Sequence, residues 1–462
     1  MIRQKRRVPL PLPLLWTLLG LGTALVTLEA APRPNLIVIL TDDQSGRAVG
    51  YENPEVQTPR IDALARGGTI LTRAFAASPI CAASRASLMT GLFPQQHGLI
   101  ALQTAAFAPY RRGGTRAAQA LAARLAEAGY ATGFFGKSHL GAPTDYGFAA
   151  GREMGYDSAP MFAAAAEFVR AQRSADRPYL LWIAPHEPHV PLFPEPEWLE
   201  RYPREAVSLP GNYRREPTAQ SLNNQGLPGE QLHRDSAYRR NVGGVPAGPP
   251  RDEETMRDFT RAYYAVTSRL DAEVGRFADL LQETGELERT IVFFLSDNGY
   301  HLGSHGLGNK ITMHEESVRI PCFVWGAGIP AGRRSNALVS SLDLYPTLLE
   351  LGGAAPPPLA PAGLSLVPLL TQSALWPRQV VHSECVGVGG AAGQGHRMAR
   401  DQRWKLVLSD ADEEFLFDLA TDPLELRNLR PDPAAAPALE RLRGELAGWM
   451  RRQHDRPYPQ FP

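Results

Sequence analysis

"NLIVILTDDQ", residues 35–44, runs without a polar break from Leu36 to Leu40 and then ends on two adjacent carboxylates, Asp42 and Asp43. A short continuous apolar run of this kind predicts a strand buried on both faces, as in a parallel sheet covered by helices. Two carboxylates at the tip of such a strand are costly unless something neutralises them, and a cation is the simplest answer. The segments downstream repeat the theme. "TPRIDALARGG" (58–68) and "TRAAQALAARLAEAGY" (115–130) carry helical spacing, and a long amphipathic helix is expected over about 254–284. "YATGFFG" (130–136), "YLLWIAP" (179–185), "TIVFFLSDNG" (290–299) and "RIPCFVWGAG" (319–328) read as further strands. Apolar strands alternating with helices predict an α/β fold: a large, mostly parallel or mixed sheet sandwiched by helices, with ligands at the carboxyl ends of the strands.

Chemistry collects at those ends. Asp297 and Asn298 follow the fourth strand of this series, Lys137, Ser138 and His139 follow "YATGFFG", and His186, Glu187 and His189 follow "YLLWIAP". A glycine-rich loop, residues 299–316, adds His301, His305, Lys310 and His314. Asp42, Asp43, Asp297 and Asn298 offer oxygen donors suited to Ca²⁺ or Mg²⁺. Each pair alone would also serve as turn or N-cap chemistry, and a lone histidine is usually a packed residue. Together, carboxylates around a cation and a ring of basic groups fit a tetrahedral oxyanion ester, which implies an ester hydrolase for sulfate or phosphate. The nucleophile is open at this point.

"SPICAASRASLMTG" (78–91) supplies a candidate. "CAASR" followed by "ASLMTG" resembles the signature of the type I sulfatases, formylglycine-dependent members of the alkaline phosphatase superfamily. The resemblance extends through "NLIVILTDDQ", "GKSHLG", "APHEPH", "LSDNGYHLGSHGLGNK", "RIPCFVWGAG" and the late "FLFDLATDPLELRNL". It implies an alkaline-phosphatase-like core, conversion of Cys81 to formylglycine by a maturation enzyme, and one Ca²⁺ held by Asp42, Asp43, Asp297, Asn298 and the modified Cys81. It further implies that Arg85 fixes the formylglycine, that Lys137 and His139 flank it with His139 as the base, that Lys310 contacts the sulfate, and that His189 contacts the sulfate and protonates the leaving oxygen. The implied activity is hydrolysis of sulfate esters, on a sulfated small molecule or glycan, through a formylglycine hydrate and a covalent sulfo-enzyme. Ala83 stands where many members have proline, and Ser138 where a tryptophan is usual. A phosphonate monoester or phosphodiester hydrolase on the same core, and an inactive glycan-binding relative, are the rival readings.

The remaining sequence bounds the setting. Among 462 residues, Lys plus Arg equals Asp plus Glu, so the formal charge is zero and nucleic acid is not an expected partner. Residues 1–31 combine a cationic head, an apolar run and small residues, a signal-peptide pattern that implies a periplasmic or secreted protein; a retained membrane anchor is the alternative. Three cysteines allow one bridge, Cys322 to Cys385, unless Cys322 simply packs in its strand. A catalytic domain is expected over 32–352, a proline-rich linker over 353–377, and a smaller C-terminal α+β subdomain over 378–462. The polar stretch of residues 188–252 is expected to be irregular, and its arginines (202–251) either meet an anionic sugar or form a solvated loop.

Overall fold

The computed structural model describes residues 33–100, 104–175, 177–215, 253–307, 309–372, 374–385, 395–409 and 413–453. The expected signal segment, most of the arginine-bearing stretch (216–251) and the end of the chain lie outside the described residues. The main sheet has eight strands. From edge to edge they are Arg333–Ser335, Thr69–Leu71, Cys322–Gly326, Thr290–Ser296, Asn35–Thr41, Tyr179–Ala184, Ala131–Gly136 and Ala150–Arg152. Cys322–Gly326 runs antiparallel to both neighbours and every other pairing is parallel, so the sheet is mixed.

All seven residues of Asn35–Thr41 are buried because the strand is covered on both faces. Leu36, Val38 and Leu40 point to one layer, with Ala82, Ala86, Leu121, Leu125, Leu344 and Leu348. Ile37 and Ile39 point to the other, with Ile61, Phe162, Leu270 and Val274. This period of two is the pleat itself, and each such aliphatic side chain contributes about 1.5–3 kcal/mol by leaving water. The long helix spans Glu253–Glu283. The Ala-rich segment is α-helical only over Leu121–Glu127, preceded by a 3-10 turn over Ala117–Gln119, because Ala120 is extended and the Gln119 side chain turns inward to the Thr90 and Leu359 carbonyls.

Register fixes the site. Thr41 lies opposite Ser296, Ile39 opposite Ile183, and Gly136 opposite Ala184, so four strands end level with one another. Asp42, Asp297, Lys137 and the 186–189 turn therefore share one edge of the sheet.

Besides a small three-stranded sheet, a separate antiparallel sheet holds Val381–Cys385, His396–Arg400, Trp404–Ser409 and Glu414–Asp418 in sequence order. The helix Ala436–Arg452 closes it with Leu439, Leu442, Leu446 and Trp449, and the same cluster takes in Ala77, Phe93 and Leu342 of the larger body. Lys405, fully buried, ion-pairs with Glu315 at 2.7 Å and Glu425 at 2.8 Å and donates to the Met313 carbonyl at 3.0 Å. The Cys322–Cys385 bridge does not form: Cys322 is a buried free thiol packed in its strand.

Candidate active site

Cys81 opens the helix Cys81–Thr90, whose ten residues are all buried. That helix docks on the strand tips through its first turn: Ser84 Oγ donates to the Asp297 carbonyl at 2.6 Å, and Arg85 Nε donates to Asp297 Oδ2 at 2.8 Å. Arg85 Nη1 also donates to the Lys137 carbonyl at 2.6 Å. Asp43 has a positive φ of 59°, a bend that turns its carboxylate back over the strand ends. Its Oδ1 receives Lys310 Nζ and, at 2.8 Å, Asn298 Nδ2. Cys81 Sγ lies 2.9 Å from Lys310 Nζ and 3.8 Å from Asp43 Oδ1. Lys137 Nζ donates to Asp42 Oδ2.

Three carboxylates, two lysines and one arginine are thus interlocked in a nearly water-free site. Burial pushes the Cys81 thiol up, but Lys137 and Lys310 outweigh it and hold the thiol below its ordinary range. Burial raises Asp297 to about 8 against the pull of Arg85, with Asp42 adding to the rise. Burial and the neighbouring Lys137 and Arg85 charges lower His139 to about 4, so it is a neutral ring. His189 goes the other way. Burial disfavours its charge, yet Asp43 and Asp42 override that and raise it. Its Nδ1–H donates to the Val190 carbonyl, which turns Nε2 toward Asp43 Oδ2, 3.5 Å away.

Ligand atoms of Asp42, Asp43, Cys81 and His189 lie within 4.8 Å of one another. Asp297 is outside that set and joins it through Asp43, whose backbone N–H donates to Asp297 Oδ1 at 3.1 Å. Asp42 Oδ1 and Asn298 Oδ1 are buried acceptors that receive no hydrogen bond, although Arg85 Nη2 faces Asp42 Oδ1 at 3.5 Å; oxygens so placed are available to a cation.

Asp42, Asp43, Cys81, Arg85, Lys137, His189, Asp297, Asn298 and Lys310 come together at this edge, whereas His301, His305 and His314, which the sequence also placed there, pack against one another instead. They form a buried group of their own, with the His305 and His314 rings stacked at 3.8 Å. Ser138 is buried: its hydroxyl donates to the Gly141 carbonyl at 2.6 Å and accepts from Tyr146 at 2.8 Å. The small side chain at this position is therefore absorbed by packing. Two contributors escaped the sequence reading. Tyr263 donates to the Asp43 carbonyl from the long helix, and Glu153 Oε1 accepts the Ser138 and His139 backbone N–H groups at 3.3 and 3.2 Å. Neither stands in a motif, and their partners are set by the fold.

A mixed sheet of this topology, sandwiched by helices and gathering charged side chains at its strand ends, is alkaline-phosphatase-like. The profile of the sulfatase family matches residues 34–354, and that of the C-terminal part of N-sulphoglucosamine sulphohydrolases matches residues 303–452. The chain belongs to the sulfatase family and is a sulfuric ester hydrolase. Arylsulfatase K of Xenopus laevis is 27% identical over 86% of this chain and 79% of its own length. Human N-sulphoglucosamine sulphohydrolase is 27% identical over 92% and 91%. Among solved structures, one in complex with its substrate D-glucosamine-2-N,6-O-disulfate superposes with a TM-score of 0.77 at 23% identity, covering 92% of this chain and 99% of the other. The phosphonate monoester hydrolase of Agrobacterium radiobacter gives 0.71 at 21%, covering 91% and 96%. At these identities the two structures bear on the fold alone.

Proposed function

We propose that the chain removes sulfate from a sulfated carbohydrate, using formylglycine generated at Cys81 and a bound Ca²⁺. The observation that carries this reading is Cys81 Sγ set at a helix start, 2.9 Å from Lys310 Nζ and beside Asp43, in a site with two buried acceptor oxygens that receive no hydrogen bond. The residues fit the metal: Asp42, Asp43, Asp297 and Asn298 would hold it by oxygen, as a hard cation requires. When bound, Ca²⁺ supplies Lewis-acid stabilisation of charge on the transferring group, and formylglycine supplies a nucleophilic oxygen. Lys137 and Lys310 bind the sulfate oxygens, and Arg85 keeps the helix start fixed against Asp297. His139 accepts a proton; His189, whose hold on its proton is raised by Asp43 and Asp42 against the penalty of burial, gives one to the departing alcohol oxygen.

The carbohydrate assignment is supported by the name of the human relative and of the C-terminal family profile. Among the described residues no helix is long and apolar enough to cross a membrane. An exported enzyme, periplasmic or secreted, with a partner that matures Cys81, accords with residues 1–31 as a signal segment.

Mass spectrometry of the Cys81 peptide from the native host, paired with turnover of 4-nitrophenyl sulfate and of an aryl phosphonate, tests this. The expected result is the aldehyde mass, preferred turnover of the sulfate ester, and loss of activity on chelation that Ca²⁺ restores. An unmodified thiol after co-expression with a formylglycine-generating enzyme, or turnover of the phosphonate only, would overturn the reading.

A further inference from the structure

Beyond the strand tips, the segment after the edge strand Ala150–Arg152 is stitched to the active-site turn. Met154 N–H donates to the Gly136 carbonyl at 3.2 Å, just before Lys137, and Glu153 takes the Ser138 and His139 N–H groups. His186 Nε2–H donates to the Met154 carbonyl at 2.9 Å. Two residues on, Tyr156 lies over the His186 ring, with centroids 4.4 Å apart and planes 34° apart. Tyr156 is nonetheless 40% exposed, so one of its faces is held by protein while the rest is open. It sits within electrostatic reach of Lys137, Asp42, Asp43 and Lys310.

Tyr156 therefore offers a partly open ring, fixed by His186, within electrostatic reach of the strand-tip residues. We propose that Tyr156, backed by His186, is the platform on which the pyranose ring of a sulfated sugar stacks while its sulfate ester occupies the site. The proposal rests on the sulfatase reading and names the part of the substrate that the catalytic groups do not touch. The chemistry favours a sugar face over an anionic group. Burial lowers His186 to about 4, so the pair of rings is neutral and offers a π face to C–H groups, with no charge for a second anion. The stack also costs little ordering on binding, because His186 and the 153–154 backbone already fix it.

The test uses the full-length protein carrying formylglycine, with D-glucosamine 6-sulfate as the sugar and inorganic sulfate as a ringless competitive inhibitor. Tyr156→Ala is expected to raise KM for the sugar about 3- to 10-fold, the range for losing one aromatic contact, while the inhibition constant for sulfate stays within about 2-fold. Tyr156→Phe keeps the face and is expected to behave as the unmutated enzyme. Unchanged KM in Tyr156→Ala, an equal rise in the sulfate constant, or failure of Tyr156→Phe to restore KM would overturn the platform. Should the unmutated enzyme hydrolyse neither 4-nitrophenyl sulfate nor the sugar, the sulfatase reading itself falls. Calorimetric titration of the same sugar then decides the platform separately: weaker binding in Tyr156→Ala supports it, and no binding by the unmutated protein refutes it.

Discussion

His189 and His139 flank the same strand tips and are driven in opposite directions. The carboxylate facing His189 Nε2 stabilises its imidazolium, whereas His139, surrounded by Lys137 and Arg85, is kept neutral. A pair of titratable groups pushed apart in this way is how one site obtains both an acid and a base. His189→Ala should lower kcat on an alkyl sulfate by roughly 100- to 10,000-fold, and far less on 4-nitrophenyl sulfate, whose leaving group needs no proton. Steady-state rates on the two substrates check this, and an equal loss on both would remove His189 from the acid role. At this scale the sequence was largely legible, because Asp42, Asp43, Lys137, His189, Asp297 and Asn298 each follow an apolar run. Tyr263 was not, since its hydroxyl meets Asp43 from 220 residues away and nothing local to it signals that contact.

The helix Cys81–Thr90 carries the proposed nucleophile and the arginine that anchors it, and its far end is set by one glycine. Gly91 has φ +71°, in the left-handed region, and a Cβ there would sit 2.6 Å from the Tyr345 ring. Gly91→Ala therefore combines backbone strain of about 1–2 kcal/mol with an overlap costing about 1–3 kcal/mol. Thermal unfolding should show a loss of several degrees, with activity at low temperature falling only in proportion to the folded fraction; an unshifted midpoint would contradict the packing described. The long strands and the helix Glu253–Glu283 could be read from sequence because their period extends over many residues. His396–Arg400 could not: "HRMAR" looks like a solvated turn, yet it lies inside the small sheet with its charged side chains buried. The three-residue strands Thr69–Leu71 and Arg333–Ser335 are likewise too short to carry a period, and they exist only because neighbours pair with them.

Across the molecule, burial holds His97, His301, His382 and His396 down to about 3. His97 shows how: Nδ1 accepts the Leu99 N–H at 3.1 Å and Nε2 meets Ser87 Oγ at 3.1 Å, so the neutral ring is fully used. Each of these rings takes up a proton in the unfolded chain near pH 6.5 and refuses it in the folded one. Their contribution is complete above about pH 6.5 and is lost as pH falls toward 3, by about 1.4 kcal/mol per pH unit for each histidine. Denaturant midpoints should therefore drop steeply between pH 6.5 and pH 4.5, and His396→Gln should make that slope shallower; a flat profile would mean that these rings titrate freely. The ion pairs of Lys405 have a different reach. Its ammonium, on the C-terminal sheet, grips Glu315 and the Met313 carbonyl, residues that follow Lys310, the proposed sulfate contact, in the same loop. A chain cut at the proline-rich segment would keep Cys81, Arg85, Lys137, His139, His189 and Lys310 and is still expected to be inert, because the tail is the vise in which the loop bearing Lys310 is clamped.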